Sequence, residues 1–108
     1  FVVRKNNRQS IHYEDGIVDQ LLTPLPNHQL EMLHSRFPPG TYSQQSYSHE
    51  GEEAGYVLSG KFELWVGERH FQLDEGDSFS FPSSEPHRYG NPGKVDAVVI
   101  WVITPPTF

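Results

Sequence analysis

The sequence predicts an all-β chain folded as an antiparallel sandwich or barrel, with little or no helix. Three observations predict this class. Nine glycines and nine prolines fall between short apolar runs instead of collecting in a linker, which is the rhythm of strands separated by turns. Several of those runs alternate apolar and polar side chains, as half-buried strands do. No stretch carries a helical period with caps.

The clearest element is a hairpin over residues 61–73, in which an apolar and a polar face alternate around a tight turn at Gly67 and Glu68. Residues 77–81 alternate in the same way. Further strands are expected over residues 16–22, 29–37, 56–59, 87–89 and 95–103, which gives seven or eight strands and a barrel or sandwich. The apolar side chains of residues 61–73 and 77–81 should fill the core. They are Phe62, Leu64, Val66, Phe71, Leu73, Phe79 and Phe81.

Residues 95–103 differ from the other predicted strands, because Val98 to Val102 are all apolar and leave no polar face. Such a run predicts a strand that is buried on both sides. Two explanations fit equally well. The second side packs against a twin subunit in a two-fold dimer, or the N-terminal segment of the same chain covers it.

Length and composition limit the function classes. The 108 residues suffice for one domain, which we assign to residues 9–108, with residues 1–8 as the remnant of a linker. The absence of cysteine excludes disulfides, thiolate zinc sites and a cysteine nucleophile, and fits a reducing compartment. A mean hydropathy of −0.59 without a long apolar run argues against a membrane span or signal peptide. We therefore expect a cytoplasmic protein.

The net charge of −6 argues against nucleic-acid binding by this segment, because that affinity comes mainly from Lys and Arg on phosphates. The chain begins with Phe1 rather than methionine, which suggests that it is part of a longer or processed protein. The function of the whole protein then depends in part on residues that precede Phe1.

Two of the six histidines have neighbours that make them candidates for chemistry. His49 lies between Tyr47 and Glu53 just before a predicted strand, and His87 follows Pro86 at the start of another. Residues two and four apart on an extended segment point the same way, so Tyr47, His49 and Glu53 converge on one face unless Gly51 bends the chain.

Two spaced sets of residues contain these candidates. The first set is Gly40, Tyr47, His49, Glu53 and Gly60, and the second is Gly76, Pro82, Ser84, His87 and Asn91. With these spacings the chain resembles the cupins over about residues 29–108, with Tyr47 in the place of a histidine and Ser84 in the place of a glycine. The resemblance implies an antiparallel double-stranded β-helix, the jelly-roll barrel of that family.

A narrower resemblance concerns residues 49–60, 76–84 and 104–108. These segments are similar to the C-terminal sensor domain of bacterial transcriptional regulators that carry an N-terminal helix-turn-helix of the phage-repressor (XRE) type. The resemblance implies a small-molecule effector and contact with DNA only through an N-terminal domain absent from this chain. We also expect a homodimer, with the twin subunit against the second side of residues 95–103.

The cupin resemblance also implies a site. His49, Glu53 and His87 would bind a divalent metal, with Tyr47 as a further weak ligand or a hydrogen-bonding group, and zinc, iron, manganese and nickel all accept such a set. Without metal, the two histidines would hydrogen-bond each other or Glu53, and the pocket would suit a small amine or amino acid, because a desolvated carboxylate needs a positive partner. Further candidates for the ligand-binding mouth are Tyr42, Gln44 and Arg36.

Three functions are consistent with these observations. The leading one is a ligand-sensing regulatory domain without catalytic activity. The main alternative is a stand-alone metal-dependent enzyme, such as a dioxygenase or isomerase, because small cupins host both and fold does not determine function. The third is a purely structural dimerisation module, which would have a filled barrel without a pocket.

Overall fold

The computed structural model describes residues 1–25, 29–43 and 45–107. These residues form nine strands and one 3-10 turn at Lys5–Asn7, with no α-helix among them. The strands are β1 (Gln9–His12), β2 (Val18–Leu21), β3 (Glu31–Phe37), β4 (Glu52–Ser59), β5 (Phe62–Val66), β6 (Arg69–Leu73), β7 (Ser78–Pro82), β8 (His87–Gly90) and β9 (Ala97–Thr104). No helix long and apolar enough to cross a membrane occurs in the described ranges.

The strands form two antiparallel sheets. One has six strands in the order β1-β2-β3-β9-β4-β7, and the other has three in the order β6-β5-β8. Bridges from Tyr42 to Gly90 and from Tyr47 to His87 attach these two residues to β8, beside the smaller sheet. The predicted double-stranded β-helix is therefore confirmed.

One hydrophobic core lies between the sheets. Phe62 is fully buried at its centre, and its ring centroid lies 5.4 Å from that of Phe37 and 5.8 Å from that of Trp101. Burial of each aliphatic or aromatic side chain stabilises the fold by roughly 1.5–3 kcal/mol. The buried apolar set is Ile17, Leu21, Leu33, Phe37, Val57, Phe62, Leu64, Phe81, Ala97, Val99, Trp101 and Ile103.

The predicted hairpin over residues 61–73 is present as β5 and β6, joined by the two-residue turn at Gly67 and Glu68. Phe71 is an exception to the predicted core, because 43% of its surface is exposed. Its strand, β6, is an edge strand, so no further strand covers its outer side. Val66, Leu73 and Phe79 are partly buried and pack against the core.

The N-terminal strand β1 was not predicted. All four of its residues are exposed, so it carries no alternation of apolar and polar side chains. Strand β4 begins at Glu52, earlier than the predicted strand over residues 56–59. Its first residues are two glutamates, an alanine and a glycine, which are uncommon in strands. Local sequence therefore did not predict that the strand begins there.

Strand β9 alternates buried and half-buried residues along its length. Ala97, Val99, Trp101 and Ile103 face the core, whereas Val98, Ile100 and Val102 face outward and are partly exposed. Strands β1 and β2 extend the same sheet beside β3. In the described part of the chain, the N-terminal strands therefore do not cover the outer side of β9, and packing against a twin subunit stays a prediction.

Asn91 ends the second sequence motif and organises the loop after β8. Its fully buried amide donates to the backbone oxygens of Phe37 (2.9 Å) and Val95 (2.8 Å), and its Oδ1 accepts from the Gly93 amide (2.8 Å). All these polar groups are paired, which burial requires. The motif asparagine therefore has a structural role: its side chain joins the end of β3 to the loop between β8 and β9.

Candidate functional site

A cavity of about 590 Å³ lies inside the barrel. Its walls include the apolar side chains of Leu33, Phe37, Trp101 and Tyr89. His49, Glu53 and His87 line the same cavity. The barrel is therefore not filled by its own side chains, and polar groups face the space within it.

The backbone places these three side chains from separate parts of the chain. Glu53 faces inward from β4, and His87 opens β8. Between Tyr47 and β4 the chain bends at Gly51, which has a φ of +97° and where a side-chain Cβ would clash with the Thr104 carbonyl oxygen. Only glycine fits such a position. His49 and Glu53 therefore meet across a bend rather than along one extended run.

Glu53 is the centre of the group. Its Oε2 lies 3.1 Å from Nε2 of His49 and 3.5 Å from Nε2 of His87. Ser83, which is fully buried, donates a hydrogen bond of 2.7 Å from Oγ to the same oxygen. Glu53 and His87 are buried and His49 is half-buried, so the group lies largely out of water.

Backbone carbonyls determine how both imidazole rings face Glu53. Nδ1 of His87 lies 2.8 Å from the Glu85 carbonyl oxygen, and Nδ1 of His49 lies 3.2 Å from that of Glu50. A carbonyl oxygen only accepts, so Nδ1 carries the hydrogen in each ring. In that tautomer each Nε2 presents a lone pair toward Oε2 of Glu53, which is the arrangement that a metal ion between them requires.

The donor set fits a divalent metal. One ligand atom from each of His49, Glu53 and His87 lies within 4.8 Å of the others. Histidines that bind metal through Nε2 usually donate Nδ1–H to a carbonyl or carboxylate, and both rings do so here. Two imidazoles and a carboxylate leave coordination positions for a further ligand.

The other predicted site residues are placed differently. Tyr47 lines the cavity and is half exposed. Tyr42 also lines it, but its hydroxyl donates to Oε1 of Glu63 at 2.8 Å. Burial, followed by this hydrogen bond and the charge of Glu63, raises the pKa of Tyr42. Gln44 lies outside the described residues.

Arg36 differs from the expectation that it lines the mouth. It is exposed, and its neighbours Ser35 and Phe37 in β3 are buried. Successive side chains in a strand point to opposite faces, so Arg36 lies on the outer surface of the large sheet and not against the cavity.

Sequence reasoning missed a second polar group, formed by Tyr13, Asp19 and Ser35. Oδ1 of Asp19 accepts a hydrogen bond from Ser35 Oγ at 2.6 Å, and Oδ2 accepts one from the Tyr13 hydroxyl at 3.2 Å. All three residues line the cavity. The sequence did contain a signal for this group. Asp19 lies two residues from both Ile17 and Leu21, so in an extended strand its carboxylate points to the core with them.

The cavity is acidic. Among its described lining residues are Glu14, Asp15, Asp19 and Glu53, with no lysine or arginine. Burial raises the pKa of Asp19, although the hydrogen bonds from Ser35 and Tyr13 oppose this effect. Burial and the charge of Asp19 raise the pKa of Tyr13 to about 12. The described lining thus holds four carboxylates and two histidines but no lysine or arginine.

Comparison with known proteins identifies relatives of the chain. The family model of the Cupin domain matches residues 33–103. The HTH-type transcriptional regulator PuuR of Escherichia coli (strain K12) and that of Shigella flexneri are each 32% identical over 83 residues, which is 77% of this chain and 45% of theirs. The chain therefore spans less than half the length of these curated relatives.

Solved structures share the fold. An RmlC-like cupin from Shewanella frigidimarina has a TM-score of 0.85 at 23% identity and covers 98% of this chain and 91% of its own. KdgF from Halomonas sp. has a TM-score of 0.81 at 24% identity, covering 98% and 93%. The Cupin_2 domain of an XRE family transcriptional regulator from Enterobacter cloacae has a TM-score of 0.74 at 23% identity, covering 83% and 97%.

Proposed function

The chain belongs to the cupin family, and on that premise we propose that it is the effector-binding domain of a bacterial transcriptional regulator. The observation that carries the proposal is the cavity, in which His49, Glu53 and His87 converge and which Glu14, Asp15 and Asp19 also line. The similarity to PuuR, named as an HTH-type transcriptional regulator, supports the regulatory role. A barrel filled by its own side chains would instead have favoured a purely structural module.

The ligand class follows from the charge of the cavity. Buried carboxylates without a side-chain cation are costly unless a positive group joins them. A small amine or an amino acid supplies a protonated nitrogen for this purpose, and its apolar part would pack against Leu33, Phe37 and Trp101. The cavity volume of about 590 Å³ is in the range of small-molecule sites.

The same proposal includes a divalent metal at His49, Glu53 and His87, with zinc, iron, manganese and nickel as the candidates. When bound, such an ion supplies open coordination positions for an electron-pair donor of the effector. Ser83 holds Glu53 in place, and the two backbone carbonyls hold the imidazole rings. Tyr47 is available to hydrogen-bond an effector at the cavity mouth.

The partners follow from the regulator hypothesis. DNA would be bound by an N-terminal domain, because the described lining and the net charge of −6 do not favour phosphate contacts by this chain. Such a protein would act in the cytoplasm. We also propose a homodimer, since an effector can alter the spacing of two DNA-binding domains that a two-fold axis relates.

The outer face of β9 is the proposed dimer surface. Ile100 and Tyr56 are paired in register across β9 and β4 and form its apolar centre. Arg36 lies at one corner on β3, and Glu52 lies at the opposite end on β4; both are exposed and face outward. A face with apolar centre and opposite charges at its two ends is suited to a second copy of itself.

The test is to express the open reading frame that includes residues upstream of Phe1 and to measure operator binding with and without amines and amino acids. A regulator should contain a helix-turn-helix upstream, and a cognate effector should change operator affinity by roughly 5–150-fold, the usual size of allosteric coupling. An initiator methionine close to Phe1, or operator binding that no compound alters, would refute the regulatory role.

A metal-dependent enzyme is the second candidate, because the His49, Glu53 and His87 group faces a cavity large enough for a substrate. It requires a bound metal with open coordination and a substrate that is converted. Incubation of the purified chain with Fe(II), Mn(II), Zn(II) or Ni(II) and candidate substrates tests this possibility. Product formation that His87→Ala abolishes, while the variant stays folded, would favour the enzyme.

A further inference from the structure

Asp19 and its two hydroxyl partners form a polar group in the cavity that is separate from His49, Glu53 and His87. Asp19 lies in β2 and is paired in register with Ser35 of β3. Tyr13 lies in the loop between β1 and β2, where its backbone amide donates to the Ile17 carbonyl at 2.9 Å. These elements hold a carboxylate, a phenol and a hydroxyl against one cavity wall.

This wall is built largely outside the part of the chain that matches the family. Tyr13 and Asp19 precede residues 33–103, the range of the Cupin domain match. The β1–β2 hairpin adds two strands to the edge of the six-stranded sheet and carries its loop to the cavity. Tyr13 and Asp19 therefore lie outside the range of the family match, whereas Ser35 lies within it.

The two hydrogen bonds to Asp19 come from neutral hydroxyl groups and do not neutralise the negative charge of its carboxylate. Both of its partners donate neutral O–H groups, at 2.6 Å and 3.2 Å, and no Lys, Arg or His in the described ranges forms an ion pair with it. A carboxylate has about four acceptor positions, so each oxygen keeps one for a further donor. Ser35 is buried, which limits access of water from that side.

Glu53 is in a different position. Its Oε2 accepts from the Ser83 hydroxyl and faces the Nε2 atoms of both histidines, which is the set that suits a divalent metal. The charges of Asp19 and Glu53 both act on the half-buried Tyr89 phenol, whose pKa burial and these charges raise. The two carboxylates therefore line one cavity, but Glu53 belongs to the candidate metal-ligand group and Asp19 does not.

We propose that Asp19, held by Ser35 and Tyr13, is the specificity-determining carboxylate that receives the protonated nitrogen of the effector. This inference rests on the proposed ligand-binding function and assigns its ammonium subsite. The apolar walls at Leu33 and Phe37 would pack against the carbon chain of such a ligand. A matching alcohol would fill the same space but bring no charge to the carboxylate.

The experiment compares straight-chain primary amines, from methylamine to hexylamine, with the matching alcohols by isothermal titration calorimetry at neutral pH. The proteins are the wild type, Asp19→Asn, Glu53→Gln and the control Asp74→Asn, in which an exposed carboxylate outside the cavity loses the same charge. Far-ultraviolet circular dichroism and thermal unfolding verify that each variant is folded.

The wild type and Asp74→Asn should prefer an amine over its alcohol, and Asp19→Asn should lose that preference with a drop in amine affinity of about tenfold or more, the scale of a charged hydrogen bond. Glu53→Gln, which alters the candidate metal-ligand group, should reduce the preference less than Asp19→Asn does. Amine binding that Glu53→Gln abolishes and Asp19→Asn leaves intact would overturn this assignment while keeping an amine-binding cavity. No amine binding by the wild type would contradict the proposed ligand class itself and this subsite with it.

Discussion

Individual residues of the candidate site were predictable to different degrees. The spacings of the two motifs were enough to select His49, Glu53 and His87, which the structure brings within 4.8 Å of one another. Ser83 was not selected, because its role depends on β4 and the loop after β7 meeting in space. Arg36 was selected but lies on the outer face, since a residue near a site in sequence still alternates between two faces.

The first residue-level prediction concerns the partner of Glu53. Ser83→Ala removes the 2.7 Å hydrogen bond to Oε2, so zinc affinity should fall by about 10–100-fold, the usual cost of losing a group that orients a metal ligand. His87→Ala should weaken zinc binding further. His12→Ala, an exposed histidine in β1, is the matched control and should bind as the wild type does. Equal affinity of all four proteins in calorimetric titrations would contradict a metal role for this group.

The second residue-level prediction concerns pH and Asp19. Burial raises its pKa above the ordinary value of 3.8, so the folded protein keeps this proton over a pH window in which the unfolded chain has lost it. Stability from this group therefore falls as the pH rises through that window, and the cost is fully present above the raised pKa. Asp19→Asn should consequently be at least as stable as the wild type at neutral pH.

Urea unfolding of wild type and Asp19→Asn at a series of pH values measures this difference. The gap between their unfolding free energies should open as the pH rises above about 3.8 and then stay constant. A variant that is less stable than the wild type by the same amount at every pH would show that Asp19 serves the fold and is not strained by burial.

At the scale of secondary structure, alternation predicted which face of a strand is apolar but not whether anything covers that face. Phe62 and Phe71 lie on the same face of the hairpin, yet Phe62 is fully buried and 43% of the Phe71 surface is exposed. The difference arises because β5 is central in its sheet and β6 is at the edge. The position of a strand in its sheet depends on long-range pairing, which no local pattern contains.

This contrast gives a matched pair of variants. Phe62→Ala should destabilise the domain by about 3–5 kcal/mol, the usual cost of deleting a buried aromatic ring. Phe71→Ala should cost about 1 kcal/mol, because much of its surface is already in water. Chemical denaturation measures both values, and similar losses for the two variants would contradict the described packing of β5 and β6.

At the scale of the whole molecule, the all-β barrel was predictable, because a chain of many short strands separated by turns folds as a sandwich or a barrel. The cavity was not, since its volume is the space left after all core side chains have packed. The run at 95–103 predicted a strand apolar on both faces. The structure confirms one buried face of β9 and leaves the other partly exposed within the described chain.

The exposed face of β9 yields a prediction about assembly. Ile100→Asp places a charge at the centre of the proposed dimer surface, so the variant should be monomeric and still folded, while the wild type is a dimer. Val95→Asp is the control, because Val95 is 66% exposed in the loop before β9. Light scattering coupled to size-exclusion chromatography gives each mass. A monomeric wild type, or a dimer that Ile100→Asp leaves intact, would rule out this surface.

The claim that the open barrel receives a small cationic species is tested most directly by amide chemical shifts of the labelled 108-residue chain. The titrants are Zn(II) and a panel of primary amines and amino acids. At least one should shift the amides of His49, Glu53, Ser83 and His87, with Asp74 and His12 unchanged. If every titrant leaves these four amides unmoved, or acts only at exposed carboxylates outside the barrel, the account is wrong.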